Sequence, residues 1–273
     1  MIIAVAALTA ALGAALFGAG DLTGGPIPVQ KTVVHGDIVV TQPGRVLDNL
    51  DVHGFVEVRA ADVKITNSIV RGGQATGSRG LIRNTTPTAL NLLIQDVVLK
   101  PEFPSVYIDG IHGGNFTARR VDISGTVDGI KIFRSNARVL SSRIHDLTQY
   151  QVDPAQGGGP SHNDGVQILG GSNVVVSGNH ILGGNASAIQ VTQSQGPVIG
   201  LAVSKNYFNA GACMVHLQHK PLSTLGPVSV TDNKFGPNGL IPGCAIVRTR
   251  ATTLVESGNY WSDGSPFSVN VAG

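Results

Sequence analysis

Three aspartates, Asp109, Asp128 and Asp164, each precede a glycine and each open a short alternating run: DGIH, DGIKI and DGVQI. If those runs stack, the carboxylates share one slot of successive turns, about 4.8 Å apart. Like charges at that distance repel by roughly 1 kcal/mol in water and about 3–4 kcal/mol at an effective dielectric of 20. Such a column calls for compensation by Lys131 or Arg134, by a bound cation, or by a proton held on a carboxylate of raised pKa. A carboxylate in that last state does general acid chemistry. Asp-Gly is also turn chemistry, in which the side chain accepts backbone N–H bonds, and that reading stands beside the catalytic one.

The longest interruption of the pattern lies next to this column. LTQYQVDPAQGGGPSHN separates His145-Asp146 from Asp164, and Asp128 to Asp164 is 36 residues where Asp109 to Asp128 is 19. Insertions in repeat proteins commonly line the binding face. His162, Asp164, Lys131 and Gln167 are therefore expected to converge. Asp109, Asp128, Asp164 and His162 are the acid–base candidates, and Lys131 would stabilise developing negative charge.

Two residues beyond each small residue of these runs, His112, Lys131, Gln167, Gln190 and His216 are expected to point outward as a polar ladder. A column of mostly small residues runs beside it: Gly110, Gly129, Gly165, Ala188, Met214 and Ala245. Together they predict a shallow groove for a chain-like ligand, with His112, Gln167, Gln190 and His216 binding it. An ordinary solvated sheet face, polar in any case, is the alternative. Cys213 and Cys244 occupy the slot of the aspartates in adjacent turns, within the Cα separation a disulfide accepts. A bridge and two stacked buried thiols both remain open. His216-Leu217-Gln218-His219 lacks further ligands at metal spacing, and no G-x-S-x-G, Walker A, H-E-x-x-H or Cys-x-x-Cys motif is present.

The elements that must position these residues are visible as a repeat. NVVVSGNHI, LAVSKNYF, VSVTDNKF and TLVESGNYW each alternate, then carry an asparagine followed by one residue and a large apolar one. Asn179, Asn206, Asn233 and Asn259 are spaced 27, 27 and 26 residues. VKITNSIV, LLIQDVVL, FTARRVDI and ARVLSSRI repeat the pattern with other residues in the asparagine slot. A second short strand precedes each. Units of this kind bury their apolar faces only by stacking on one another. The prediction is an all-β, single-stranded, right-handed parallel β-helix of about nine turns over 33–273, with stacked asparagine amides at one corner. A sandwich or a propeller would need a different period.

Composition agrees. In 273 residues there are 36 glycines, and charged residues are 13%, about half the usual share. The balance of 19 Lys+Arg against 17 Asp+Glu, without a basic cluster, argues against nucleic acid as a partner. Residues 1–20 carry no charge and read as a secretory signal or an apolar assembly helix, with 21–32 as a linker. A membrane anchor is the weaker reading of that segment, because it is short and rich in Ala and Gly. His180, Tyr207, Lys234 and Tyr260 form another outward column, whose tyrosines could stack on sugar rings.

FTARRVDISGTVDGIKI, SHNDGVQILGGSNVVVSGNHILGG and the later N-x-[FW] turns resemble right-handed parallel β-helix proteins of the pectin-lyase-like superfamily. Secreted actinobacterial members and related phage tail proteins are the kind meant, and the resemblance covers about Val33 to Phe267. It implies a polysaccharide or cell-envelope glycan as partner and an extracellular or virion-tail location. It also implies lyase, hydrolase or purely binding roles, with no required cofactor and calcium as an option at the aspartate column. The chain lacks the D-D and G-H-G motifs of polygalacturonase-type hydrolases and the Arg signature of calcium-dependent pectate lyases. The expectation is a β-helix protein that engages, and in one version cleaves, an envelope polysaccharide. The alternative is a non-catalytic tail component. It would assemble as a homotrimer or with other virion proteins through residues 1–20.

Overall fold

The computed structural model describes residues 30–217 and 225–272. The apolar segment 1–20 and most of the 21–32 linker lie outside the described residues, as does His219. Every strand pairing within the named strands is parallel, and the strands fall into three sheets of ten, ten and nine. Each turn visits the first, second and third sheet in order. Nine turns close and a tenth is open, a right-handed parallel β-helix.

Three strands per turn replace the two expected. What reads as one strand carrying an asparagine is two strands meeting at a corner. In NVVVSGNHI the chain leaves the third sheet at Ser177 and enters the first at His180. The residue before the asparagine slot makes the bend. Arg120, Ser141, Gly178, Lys205, Asp232 and Gly258 all have φ between 48° and 70°. Two-residue strands such as His180–Ile181 and Tyr207–Phe208 are too short to show a period of their own.

The asparagine ladder sits just past that bend. Asn206 Nδ2 donates to Asn233 Oδ1 at 2.9 Å and to the Val176 carbonyl at 2.9 Å. Its Oδ1 accepts from the Asn179 backbone and side chain, both at 2.9 Å. Corner N–H groups such as that of Asn179, which no sheet reaches, are thus paired, as buried backbone requires. A second polar row at the opposite end of the third sheet is not evident from the repeat. Asp62, Asn91, Asn115, Asn136 and Asn173 all take positive φ, a conformation these short polar side chains tolerate best after glycine.

Inside, Val166, Ile168, Ile189, Val191, Val215 and Leu217 are fully buried, while the residues between them face out. Phe208 and Phe235 stack at 5.5 Å and Trp261 continues the row at 5.8 Å. The small column does not flank a groove. A Cβ on Gly110 would lie 2.8 Å from Ile123 Cγ2, and one on Gly129 2.7 Å from Ile144 Cγ2. Gly110, Gly129 and Gly165 therefore face the core, and Ala188, Met214 and Ala245 beside them are fully buried. At this corner two successive residues point inward, so strict alternation assigns the small residues to the wrong side.

Candidate functional site

Asp109, Asp128 and Asp164 do fall in one column, because Ile111 pairs with Ile130 and Ile130 with Val166. Each carboxylate first serves the turn. Asp109 Oδ1 accepts from the Asp128 N–H at 2.9 Å, Asp128 Oδ1 from Asp164 N–H at 2.7 Å, and Asp164 Oδ1 from Ser187 N–H at 3.0 Å. The column continues as Ser187, then Cys213 and Cys244, which are joined by a disulfide with Cα atoms 4.8 Å apart. Carboxylates stack in three turns, a hydroxyl in the next, and a covalent bond in the last two.

All three carboxylates are buried, so charge decides their state. Lys131 Nζ lies 2.9 Å from Asp109 Oδ2 and 2.9 Å from Asp128 Oδ2. His112 Nε2 contacts Asp109 Oδ2 at 2.6 Å, and Phe133 meets its ring edge-on at 5.3 Å. Burial opposes charge on Asp109, but the His112 hydrogen bond and the Lys131 ammonium outweigh it and hold the carboxyl low. Burial pushes Asp128 up to about 6; Lys131 pulls against this, and the Asp109 charge adds to it. Asp164 is raised well above the ordinary carboxylate range by burial and then by the Asp128 charge. The pull of Asp109 and Asp128 overcomes burial at Lys131, whose pKa rises. One lysine thus serves two carboxylates, and the third holds its proton more tightly than an ordinary carboxyl.

Two expectations change here. His112 is buried, 6% exposed, and belongs to this internal network rather than to a ligand-facing ladder. Alternation gives the side of the sheet correctly but not whether that side is covered. Lys131 is committed to two carboxylates and is not a free cation for developing charge.

The open surface begins one turn further on. Gln167, Gln190 and His216 are in register on three successive strands of the second sheet. They line a cleft of about 620 Å³ together with His162, Asp164 and Ser187. The 147–163 insertion forms one wall through its HND end. Asn163 is buried and donates to the carbonyls of Val127 at 2.9 Å and Thr148 at 2.6 Å. Its own N–H bonds to Asn185 Oδ1 at 3.1 Å. Ser161 Oγ accepts from Tyr150 N–H at 2.9 Å, and Asp153 caps the short helical turn Pro154–Gln156. Asn163 pins the loop, His162 is left exposed, and Asp164 returns the chain to the column.

Of the residues expected to meet, His162, Asp164 and Gln167 share the cleft, joined by Gln190 and His216. Asp128 and Lys131 stand one turn before it along the sheet, and Asp109 and His112 two turns before it. Asn185, Thr192 and Ser194 line the cleft without having been singled out. Ser187 was legible in principle, since it occupies the aspartate slot of the next turn; its Oγ is 3.1 Å from Gln190 Oε1. Burial lowers the His216 pKa, so its imidazole is neutral at pH 7. Among the described residues no group of three or more His, Cys, Asp or Glu is placed to hold a metal ion.

These proton affinities have a measurable consequence. A carboxyl whose folded pKa is raised costs stability as pH climbs from its unfolded value through its folded one. For Asp128 that window runs from about 4 to about 6, and the loss at neutral pH is about 3 kcal/mol. Asp109 has the opposite sign, and its contribution is lost as pH falls below the ordinary carboxylate range. Asp164→Asn, which mimics the protonated acid, should match the parent near pH 4 and gain on it steadily toward pH 7. Paired urea titrations at the two pH values check this; a difference that does not change with pH contradicts the raised proton affinity of Asp164.

Residues 55–259 match a family model described as the right handed beta helix region. No curated protein and no solved structure matches the chain.

Proposed function

The chain belongs to the right-handed β-helix family, and on that footing we propose that it binds an extended polysaccharide across the outer face of its second sheet. The observation that carries this reading is the cleft over Gln167, Gln190 and His216, with about 620 Å³ of open volume. Its in-register side chains offer a donor or acceptor at each turn, a repeat suited to a repeating ligand. Amides and hydroxyls meet sugar hydroxyls well because each can both donate and accept. The Cys213–Cys244 bridge fits an oxidising setting, in keeping with a secreted, surface or virion location.

Gln190→Ala combined with His216→Ala should weaken binding to a cognate envelope polysaccharide about tenfold or more, each lost hydrogen bond contributing about 0.5–1.5 kcal/mol. Affinity electrophoresis of parent and variant through polysaccharide-loaded gels measures it. Equal retardation of both would place binding elsewhere, and no retardation by any envelope glycan would leave the chain a structural rod.

Cleavage is the second reading, and Asp164 favours it, a carboxyl at the cleft whose proton affinity burial raises well above the ordinary range. In that version Asp164 gives its proton to the leaving glycosidic oxygen as the bond to the anomeric carbon breaks. Water adds to that carbon and loses a proton to His162, the exposed imidazole at the wall. Digestion with and without calcium, read by product mass, tests it. Asp164→Asn should bind as the parent does and release no product.

A further inference from the structure

The chemistry of the cleft also restricts which polysaccharide fits, an inference that rests on the binding reading above. Among the described residues that line it, none is Lys or Arg. The polar groups are amides, hydroxyls, imidazoles and one carboxyl. The nearest cation in the column, Lys131, bonds Asp109 and Asp128 at 2.9 Å each and has no charge to spare. On the turn beside the cleft, then, the ammonium is already shared between two carboxylates.

An acidic polymer would bring carboxylate, sulfate or phosphate groups into this setting. Each would be desolvated with no cation among the described lining residues to receive it. Recognition of such anions normally uses Arg forks or Lys point charges. A neutral sugar chain meets neither penalty. Its hydroxyls pair with Gln167, Gln190, Asn185 and Ser187, and its apolar ring faces lie on Ala186 and Ala212. We infer that the cleft takes an uncharged polysaccharide and discriminates against uronate, sulfated or phosphate-bearing polymers.

The test uses the full chain against matched pairs: several uronic-acid polymers, each beside its carboxyl-reduced neutral product, together with neutral and acidic fractions of bacterial envelope polysaccharide. Binding is measured by titration calorimetry at low and high ionic strength. The expected result is binding to neutral members, about tenfold or more tighter than to their acidic counterparts and little changed by salt. A second variant, Gln190→Lys, places a cation among the described lining residues and should raise affinity for acidic polymers about tenfold while weakening that for neutral ones. Tight, salt-sensitive binding of an acidic polymer by the parent overturns this inference and leaves the polysaccharide reading standing. Failure of every polymer to bind overturns both.

Discussion

Replacing Lys131 by methionine should lower the unfolding free energy at pH 7 by about 3–5 kcal/mol, the cost of leaving buried charge without its partner. Lys131 holds Asp109 and Asp128 together at 2.9 Å each, and both carboxylates are almost fully buried. Methionine keeps much of the side-chain volume, so the loss reports charge rather than a cavity. The pH response separates this from simple misfolding. As pH falls toward 4 the carboxylates of the variant take up protons, and most of the lost stability should return. Urea unfolding at pH 7 and pH 4.5 measures both, with Lys131→Arg as the variant that retains charge. A loss below about 1 kcal/mol, the scale of an exposed ion pair, would contradict the buried-network account.

The second large effect is expected at the corner ladder. Asn206→Ala removes one side chain but strands the Asn179 N–H, takes from the Asn179 amide one of its two acceptors, and leaves the Val176 carbonyl and Asn233 Oδ1 each with one donor fewer. Buried polar groups left without partners cost about 1–3 kcal/mol each, and partial relaxation brings the expected total to about 3–5 kcal/mol. The same slot two and three turns earlier holds Ser142 and Val121, and there the Val121 N–H bonds to Ser142 Oγ at 3.1 Å. An apolar residue is therefore acceptable where its neighbours in the column do not reach for it. Asn259 stands at the end of the ladder and at 9% is the most exposed of its four asparagines, so Asn259→Ala should cost roughly half as much. Equal losses at the two positions in thermal unfolding would show that stacking along the column is not the source of the stability.

The repeat was legible because one slot is filled by asparagine four times at nearly constant spacing, and because Cys213 and Cys244 fall in register with the aspartates. Those features depend on column position, which sequence spacing reports directly. The third strand of each turn was hidden, since a two-residue strand after Gly178 or Lys205 reads as a continuation of the one before. The small column was placed outside because alternation fails where the chain turns a corner at Gly110 and Gly129. His112 was placed at the surface for a different reason. Its side of the sheet was right, but Lys131, Phe133 and Asp109 enclose it, and only three-dimensional packing reveals such a cover. The cleft was half visible. Gln167, Gln190 and His216 followed from register, while Asn185 and Thr192 lie on connections that no period marks.

The most direct measurement is backbone hydrogen exchange on the full chain, with and without a polysaccharide that retards it in the gel assay. Bound ligand should slow exchange in the second-sheet strands Asp164–Ile168, Ser187–Val191 and Val215–Leu217 and in the 147–163 loop. The first-sheet column of His180, Tyr207, Lys234 and Tyr260 should be unchanged. Protection confined to that tyrosine face, or spread evenly over all three sheets, would contradict the placement of the binding site in the cleft beside Asp164.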